Sequence, residues 1–201
     1  PGCLGLPESR QRRAGDDAPA GARPRSRHRA GGAPAAARAV HQLPDGAVLI
    51  VGSAQSGCQL AEELNAAGRK VYLATGGADR LPRRYRGKDS FWWADQLGIF
   101  DQTVDKLPSR DARFNPNPQV TGKDGGHTLS LHHLARDGVV LMGRMLDANG
   151  TEIKLANDLM DNLKRADKFA AEFKKGVDKL IEKKGLDLPE DDQPELRAGY
   201  D

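Results

Sequence analysis

Six consecutive residues, Gly52-Ser53-Ala54-Gln55-Ser56-Gly57, have the types and the spacing to hold a phosphate group. A dinucleotide-binding turn asks for glycine at three places: for the tight turn, for the approach of the pyrophosphate to the backbone, and for close helix–strand packing. Gly52 and Gly57 fill the first and third places, and Ala54 takes the second, where one methyl group narrows the approach to the phosphate without closing it. The backbone N–H groups from Ser53 to Gly57 then point from a helix N-terminus toward an anion. The side chains of Ser53, Gln55 and Ser56 can add hydrogen bonds.

The choice of dinucleotide rests on the end of the next strand. NAD sites usually present Asp or Glu there, about 20 residues beyond the turn, to hold the ribose hydroxyls. Here the segment reads Ala74-Thr75-Gly76-Gly77-Ala78-Asp79-Arg80, with no acid at the strand end, and Arg83, Arg84 and Arg86 follow at once. Guanidinium groups bind phosphate bidentately, so the pattern favours NADPH, with Thr75, Arg80, Arg83 and Arg84 as further cofactor-binding candidates. Asp79 is the counter-signal, and a solvated basic loop is the plain alternative.

Other residues suggest less. His127, His132 and His133 have no supporting Cys pair or carboxylate spacing for a metal, and read as loop and helix-surface residues. Cys58 sits at a helix N-terminus, where a thiol pKa can fall, but its place in the pattern is that of a small apolar residue facing a sheet. The Trp92-Trp93 pair reads as core or interface. Tyr85 and Lys88 are three apart, whereas short-chain dehydrogenases place such a pair four apart. No nucleophile, base or acid set emerges, so no catalytic residue is assigned.

The elements that must position the turn are plain. Ala47-Val48-Leu49-Ile50-Val51 is a continuous apolar run suited to a strand buried on both faces. Cys58, Ala61, Leu64 and Ala67 then recur three apart, as on one face of a helix, and Gly68 stops it. Lys70-Val71-Tyr72-Leu73-Ala74 is the second β run, which completes a βαβ unit with a right-handed crossover. Beyond it, residues 88–97 read as a helix, 114–118 as irregular chain between prolines, 130–136 as a short helix and 139–142 as a buried strand. Asp147-Ala148-Asn149-Gly150 reads as a hairpin turn, with 153–155 returning. Asn157 or Asp158 then caps a helix to about Lys184, stopped by Gly185. Its apolar positions, Leu159, Leu163, Ala166, Ala170, Phe173, Val177 and Leu180, alternate in steps of four and three. That spacing suits a coiled-coil seam or a helix packed on its own domain, and weak alanine positions and Gly176 favour the second.

The fold expected is therefore α/β: a Rossmann-like parallel sheet with a β-hairpin and a long helix, spanning residues 42–185. Residues 186–201 form an acidic extension, read as truncated. Residues 1–41 are composed mostly of Ala, Arg, Gly and Pro, with Leu4, Leu6 and Val40 as large apolar residues. Such a segment buries too little apolar area to offset its ordering entropy. It reads as disordered, or as an out-of-frame leader, since those four residues have GC-rich codons; an arginine-rich arm or a transit-like peptide are the functional alternatives.

Charge follows the same division. Residues 1–41 hold eight arginines, no lysine and the acids Glu8, Asp16 and Asp17, a balance of +5, so the rest of the +3 chain carries −2. The globular part thus has no positive field to steer a nucleic acid. No apolar run approaches the roughly 20 residues that cross a bilayer, and no secretory signal is present. Cys3 and Cys58 make no disulfide framework, so the expected setting is cytoplasmic, without nucleic acid or membrane partners. A start at Pro1 reads as that of a fragment.

Several stretches together carry a family resemblance. Residues 52–64, Pro82-Arg83-Arg84-Tyr85-Arg86-Gly87-Lys88-Asp89, Asn117-Pro118-Gln119-Val120-Thr121-Gly122-Lys123-Asp124-Gly125-Gly126 and Leu134-Ala135-Arg136-Asp137-Gly138-Val139-Val140-Leu141 resemble bacterial flavin-containing monooxygenase-like oxidoreductases, FAD-dependent and NAD(P)-binding. In that family an NADPH domain is inserted in an FAD domain that has its own glycine fingerprint. The resemblance implies that Gly52–Gly57 is the NADPH fingerprint and that FAD belongs to a domain missing here. NADPH would reduce that flavin, to oxidise a small-molecule substrate. Gly77 stands where the family often has an arginine, which leaves Arg80 or Arg83 for the 2′-phosphate. A stand-alone NAD(P)-dependent reductase and a non-enzymatic nucleotide-binding module are the alternatives; the sequence does not specify the oligomeric state.

Overall fold

Val48-Leu49-Ile50-Val51 holds three β-branched residues and no polar one, a composition that favours a pleated strand. It forms β1 (Val48–Val51) in the computed structural model, which describes residues 43–191. The expected leader at 1–41, and the part of the expected 186–201 extension from 192 onward, lie outside the described residues. Next in order come α1 (Gln55–Ala66), β2 (Val71–Ala74), β3 (Arg84–Tyr85), β4 (Lys88–Asp89) and α2 (Ser90–Gln96). Three short 3-10 turns lead to α3 (Leu131–Arg136), β5 (Val140–Met142), β6 (Met145–Asn149), β7 (Glu152–Leu155) and α4 (Leu159–Lys184).

The chain is mixed α/β, as expected. β1, β2 and β5 form a parallel sheet with β2 in the middle. Val48 pairs with Val71 and Val51 with Ala74, so the two strands end level beside the glycine turn. α1 covers the sheet through Cys58, Ala61 and Leu64, the expected face, and Gly68 ends it at φ 81°. These residues join Ile50, Val71, Leu73, Leu131, Leu134, Leu141 and Leu163 in one apolar core.

A second core forms where Tyr85, Trp93, Phe173 and Val177 meet, with Leu188 packed against it. Trp93 is fully buried and donates its indole N–H to the Tyr85 carbonyl at 2.8 Å. α4 serves both cores: Leu159 and Leu163 pack on the first, Phe173 and Val177 on the second. Its heptad-like spacing is that of a helix packed on its own domain. It ends in the left-handed Gly185, whose N–H reaches the Glu182 carbonyl. No described helix is long and apolar enough to cross a membrane.

Two local expectations shift. The helix expected over 88–97 begins at Ser90, because Lys88 and Asp89 pair with Tyr85 and Arg84 across a turn at Arg86 and Gly87. Both turn residues have positive φ, 51° and 71°, as a type I′ turn requires. Asp89 then caps α2, accepting from the Phe91 N–H at 2.9 Å. The second shift is of the later hairpin: Asn149 pairs with Glu152, so Gly150 and Thr151 make the turn and Asp147 to Asn149 belong to β6. Gly150, at φ 59°, occupies the first central position, where a type II′ turn places glycine.

The packing of α4 has a measurable consequence. Leu163→Ala removes a side chain that is 2% exposed and is expected to cost about 2–5 kcal/mol of unfolding free energy. Urea titrations at several protein concentrations should give the same midpoint shift; a concentration-dependent loss would assign the helix to an intermolecular seam.

Candidate functional site

Gly52 continues the parallel ladder, donating its N–H to the Ala74 carbonyl at 2.9 Å, and turns away at φ 100°. Ser53 is buried, and its Oγ accepts from the Gly76 N–H at 3.0 Å, which fastens the turn to the end of β2. Ala54 holds the N-cap position of α1 in extended conformation and has no side-chain oxygen to cap the helix. The earliest N–H to reach an intrahelical carbonyl is that of Cys58, to Ala54 at 3.0 Å. The N–H groups of Gln55, Ser56 and Gly57 therefore precede the ladder, and no acidic residue occupies the first turn. Partial positive charge at this end of α1 stands uncompensated, the electrostatic condition for binding an anion.

Gly57 is required by contact, not by torsion. A Cβ built there would overlap the carbonyl oxygen of Gly52, and its other near neighbour is the Ile50 side chain at 3.6 Å. The helix starts against the strand it has just left.

The other candidates separate. Thr75 is buried; its hydroxyl donates to the Met142 carbonyl at 2.8 Å and accepts from Asn162 Nδ2 at 3.2 Å, so it ties β2 to β5 and α4. Arg80 Nε meets Asp167 at 2.7 Å, and Arg83 meets Asp89 at 2.8 Å. Arg84 donates to the carbonyls of Gly126 and Gly125 at 2.8 and 2.9 Å. Arg83 and Arg84 flank a cavity of about 340 Å³ with His127, His133 and Arg136. The end of β2 opens instead on a cavity of about 350 Å³ beside Gly77, Asp79, Asn115, Arg165 and Lys168. Burial raises the Asp79 carboxyl above its ordinary range, against the opposing pull of Arg165. An apolar cavity of about 450 Å³ adjoins Gln55, with Phe91, Phe100, Phe169 and Phe173 around it.

Residues 119–121, marked in the sequence only as part of the family resemblance and not as site residues, enter the site. Gln119 is fully buried and donates to the Ser53 carbonyl at 2.7 Å, while Gln55 donates to the Val120 carbonyl at 2.8 Å. Gln55 is thereby engaged in holding this strap against the turn. The Oε1 of Gln119 is buried without a partner. Asn162, Arg165 and Lys168 were also missed; their spacing of three on one helix face was the available cue.

Burial, followed by the charge of Glu62, pushes the Cys58 thiol up to about 12. It stays protonated and acts as the small apolar residue its spacing suggests. His132 departs from the surface placement expected of it: it is 7% exposed and its Nε2 meets Asp167 at 3.0 Å. Among the described residues, no group of three or more His, Cys, Asp or Glu side chains is placed to hold a metal.

Asp167 thus binds Arg80 and His132 together. Burial alone would raise its pKa, but hydrogen bonds from His132 and Arg80 outweigh burial and hold it below the usual range. A folded-state pKa lower than the unfolded one contributes stability that is present above about pH 3.9 and lost as pH falls through the folded value. Asp167→Asn should therefore be less stable than the parent chain at pH 7, with the gap closing below about pH 4, read by denaturant unfolding across pH. For the turn, Gly57→Ala is expected to cost about 1–3 kcal/mol, because the neighbour it meets is backbone. Ser56→Ala, at an exposed position, should stay within about 0.5 kcal/mol, measured in the same titration.

No family model matches the chain, and no solved structure matches it. The chain is similar to an uncharacterized oxidoreductase CzcO-like protein of Geobacillus kaustophilus (strain HTA426), 33% identical over 100 residues, 49% of this chain and 26% of that protein. It is also similar to the uncharacterized oxidoreductase CzcO of Bacillus subtilis (strain 168), 30% identical over 115 residues, 56% of this chain and 31% of that protein. Both relatives bear the name oxidoreductase, and the chain spans less than a third of the length of each.

Proposed function

We propose that this chain is the NADPH-binding portion of a flavin-dependent, monooxygenase-like oxidoreductase, with FAD held by a domain outside this chain. The observation that carries the reading is the uncapped start of α1. Its free N–H groups face outward at the level C-terminal ends of two parallel strands, the place where open α/β sheets bind ligands. The names of the two relatives support the redox class.

In this reading the N–H groups of Gln55, Ser56 and Gly57 receive the pyrophosphate, and the exposed Ser56 adds its hydroxyl. Gly57 keeps helix and strand in contact, so those donors are held in place before the ligand arrives. Ser53 and Thr75 act from below: one holds the turn to β2, the other holds β2 to β5 and α4. When bound, NADPH supplies a hydride, which the flavin of the larger enzyme would accept.

Calorimetric titration of the full chain is expected to give weak binding of NADPH and no binding of FAD. Purification of the chain with tightly held FAD would overturn the division of labour proposed here. NADPH turnover on a carbonyl substrate without added flavin would move the assignment to a stand-alone reductase.

A further inference from the structure

The arginines that follow β2 are committed elsewhere. Arg80 is 16% exposed and bonded to Asp167, Arg83 is bonded to Asp89, and Arg84 spends its guanidinium on two backbone carbonyls. None of the three lines the cavity at the end of β2. A different arginine does. The guanidinium of Arg165, from α4, lies directly over Gly77, and a Cβ at Gly77 would overlap both of its terminal nitrogens. The missing side chain at position 77 is the space into which Arg165 reaches across from another element.

We propose that Arg165, with Lys168 beside it on α4, is the specificity determinant that takes the 2′-phosphate of the bound dinucleotide. The inference rests on the dinucleotide reading given above and names the residues that would select NADP over NAD. Arg165 and Lys168 both line the cavity of about 350 Å³ that opens at Gly77. They stand three residues apart, on neighbouring positions of one helix face. Two carboxylates share the cavity, Asp79 and Glu172. Their ion pairs are long: Arg165 Nε to Asp79 at 3.5 Å and Lys168 Nζ to Glu172 at 3.8 Å. Exposed pairs of this kind contribute little. A phosphate dianion offers a guanidinium bidentate, charge-assisted bonds that are shorter and stronger. Asp79 is the residue a 2′-hydroxyl would prefer, so the Asp79–Arg165 pair sets the two dinucleotides in opposition at one place.

The test is calorimetry on the full chain with NADP+ and NAD+ as separate titrants. The parent chain is expected to bind NADP+ more tightly than NAD+. Arg165→Gln should weaken NADP+ about tenfold or more, the worth of one charged hydrogen bond, and leave NAD+ unchanged. Gly77→Ala should act in the same direction, because the new methyl group displaces the end of a flexible side chain and not the backbone. Thermal melts that match the parent would show that both variants fold. An unchanged NADP+ to NAD+ ratio in folded Arg165→Gln overturns the assignment, as does an equal loss for both titrants. Failure of the parent chain to bind either dinucleotide would remove the dinucleotide reading itself, and this one with it.

Discussion

No side chain fits at Gly57, because the carbonyl of Gly52 already occupies the space where a Cβ would go. That closeness sets the angle at which α1 leaves β1, and much else is fixed by it. With the helix laid back on its own strand, Cys58, Ala61 and Leu64 come down on Val71 and Leu73, and the first core closes. The same geometry turns the first N–H groups of α1 outward at the end of the sheet. Packing and the aim of these N–H groups thus share one contact, and a change that relieves the crowding would also misdirect the donors.

α4 secures what the turn begins. Along one helix Asn162 reaches Thr75, Asp167 gathers Arg80 and His132, and Asp178 accepts from Tyr85 and pairs with Arg86. Apart from His132, these partners all lie between residues 75 and 86, in the stretch that follows β2. Its apolar face packs on two cores while its polar residues fasten the segment between β2 and α2. The large interval after β2 carries little regular structure of its own, and these ties give it a defined position.

How much of this could be read in advance follows from distance along the chain. The strand, turn, helix and strand of the βαβ unit occupy neighbouring residues, and period and glycine placement reveal them directly. Gln119 meets Ser53 across 66 residues and Arg80 meets Asp167 across 87, and no local pattern encodes such pairings. For that reason the arginines after β2 were identifiable as cations but their partners were not. The Arg86 turn was hidden because arginine rarely adopts positive φ. The later hairpin turn, expected at Asp147–Gly150, falls two residues further on at Asn149–Glu152: Asn-Gly signals a turn with both residues at its centre, whereas here Asn149 stays in the ladder.

Cys58 offers a use of its own. The thiolate, not the thiol, reacts with disulfides and alkylating reagents, and this thiol is fully buried and stays protonated up to about 12. Its sulfur also leans on the Ser53 carbonyl at 3.2 Å, inside the turn itself. In the closed molecule it is chemically silent, so a reagent modifies it when α1 lifts from the sheet. Its labelling rate therefore serves as a clock for the opening of the seam between β1 and α1, and a molecule that clamps that seam would slow the clock.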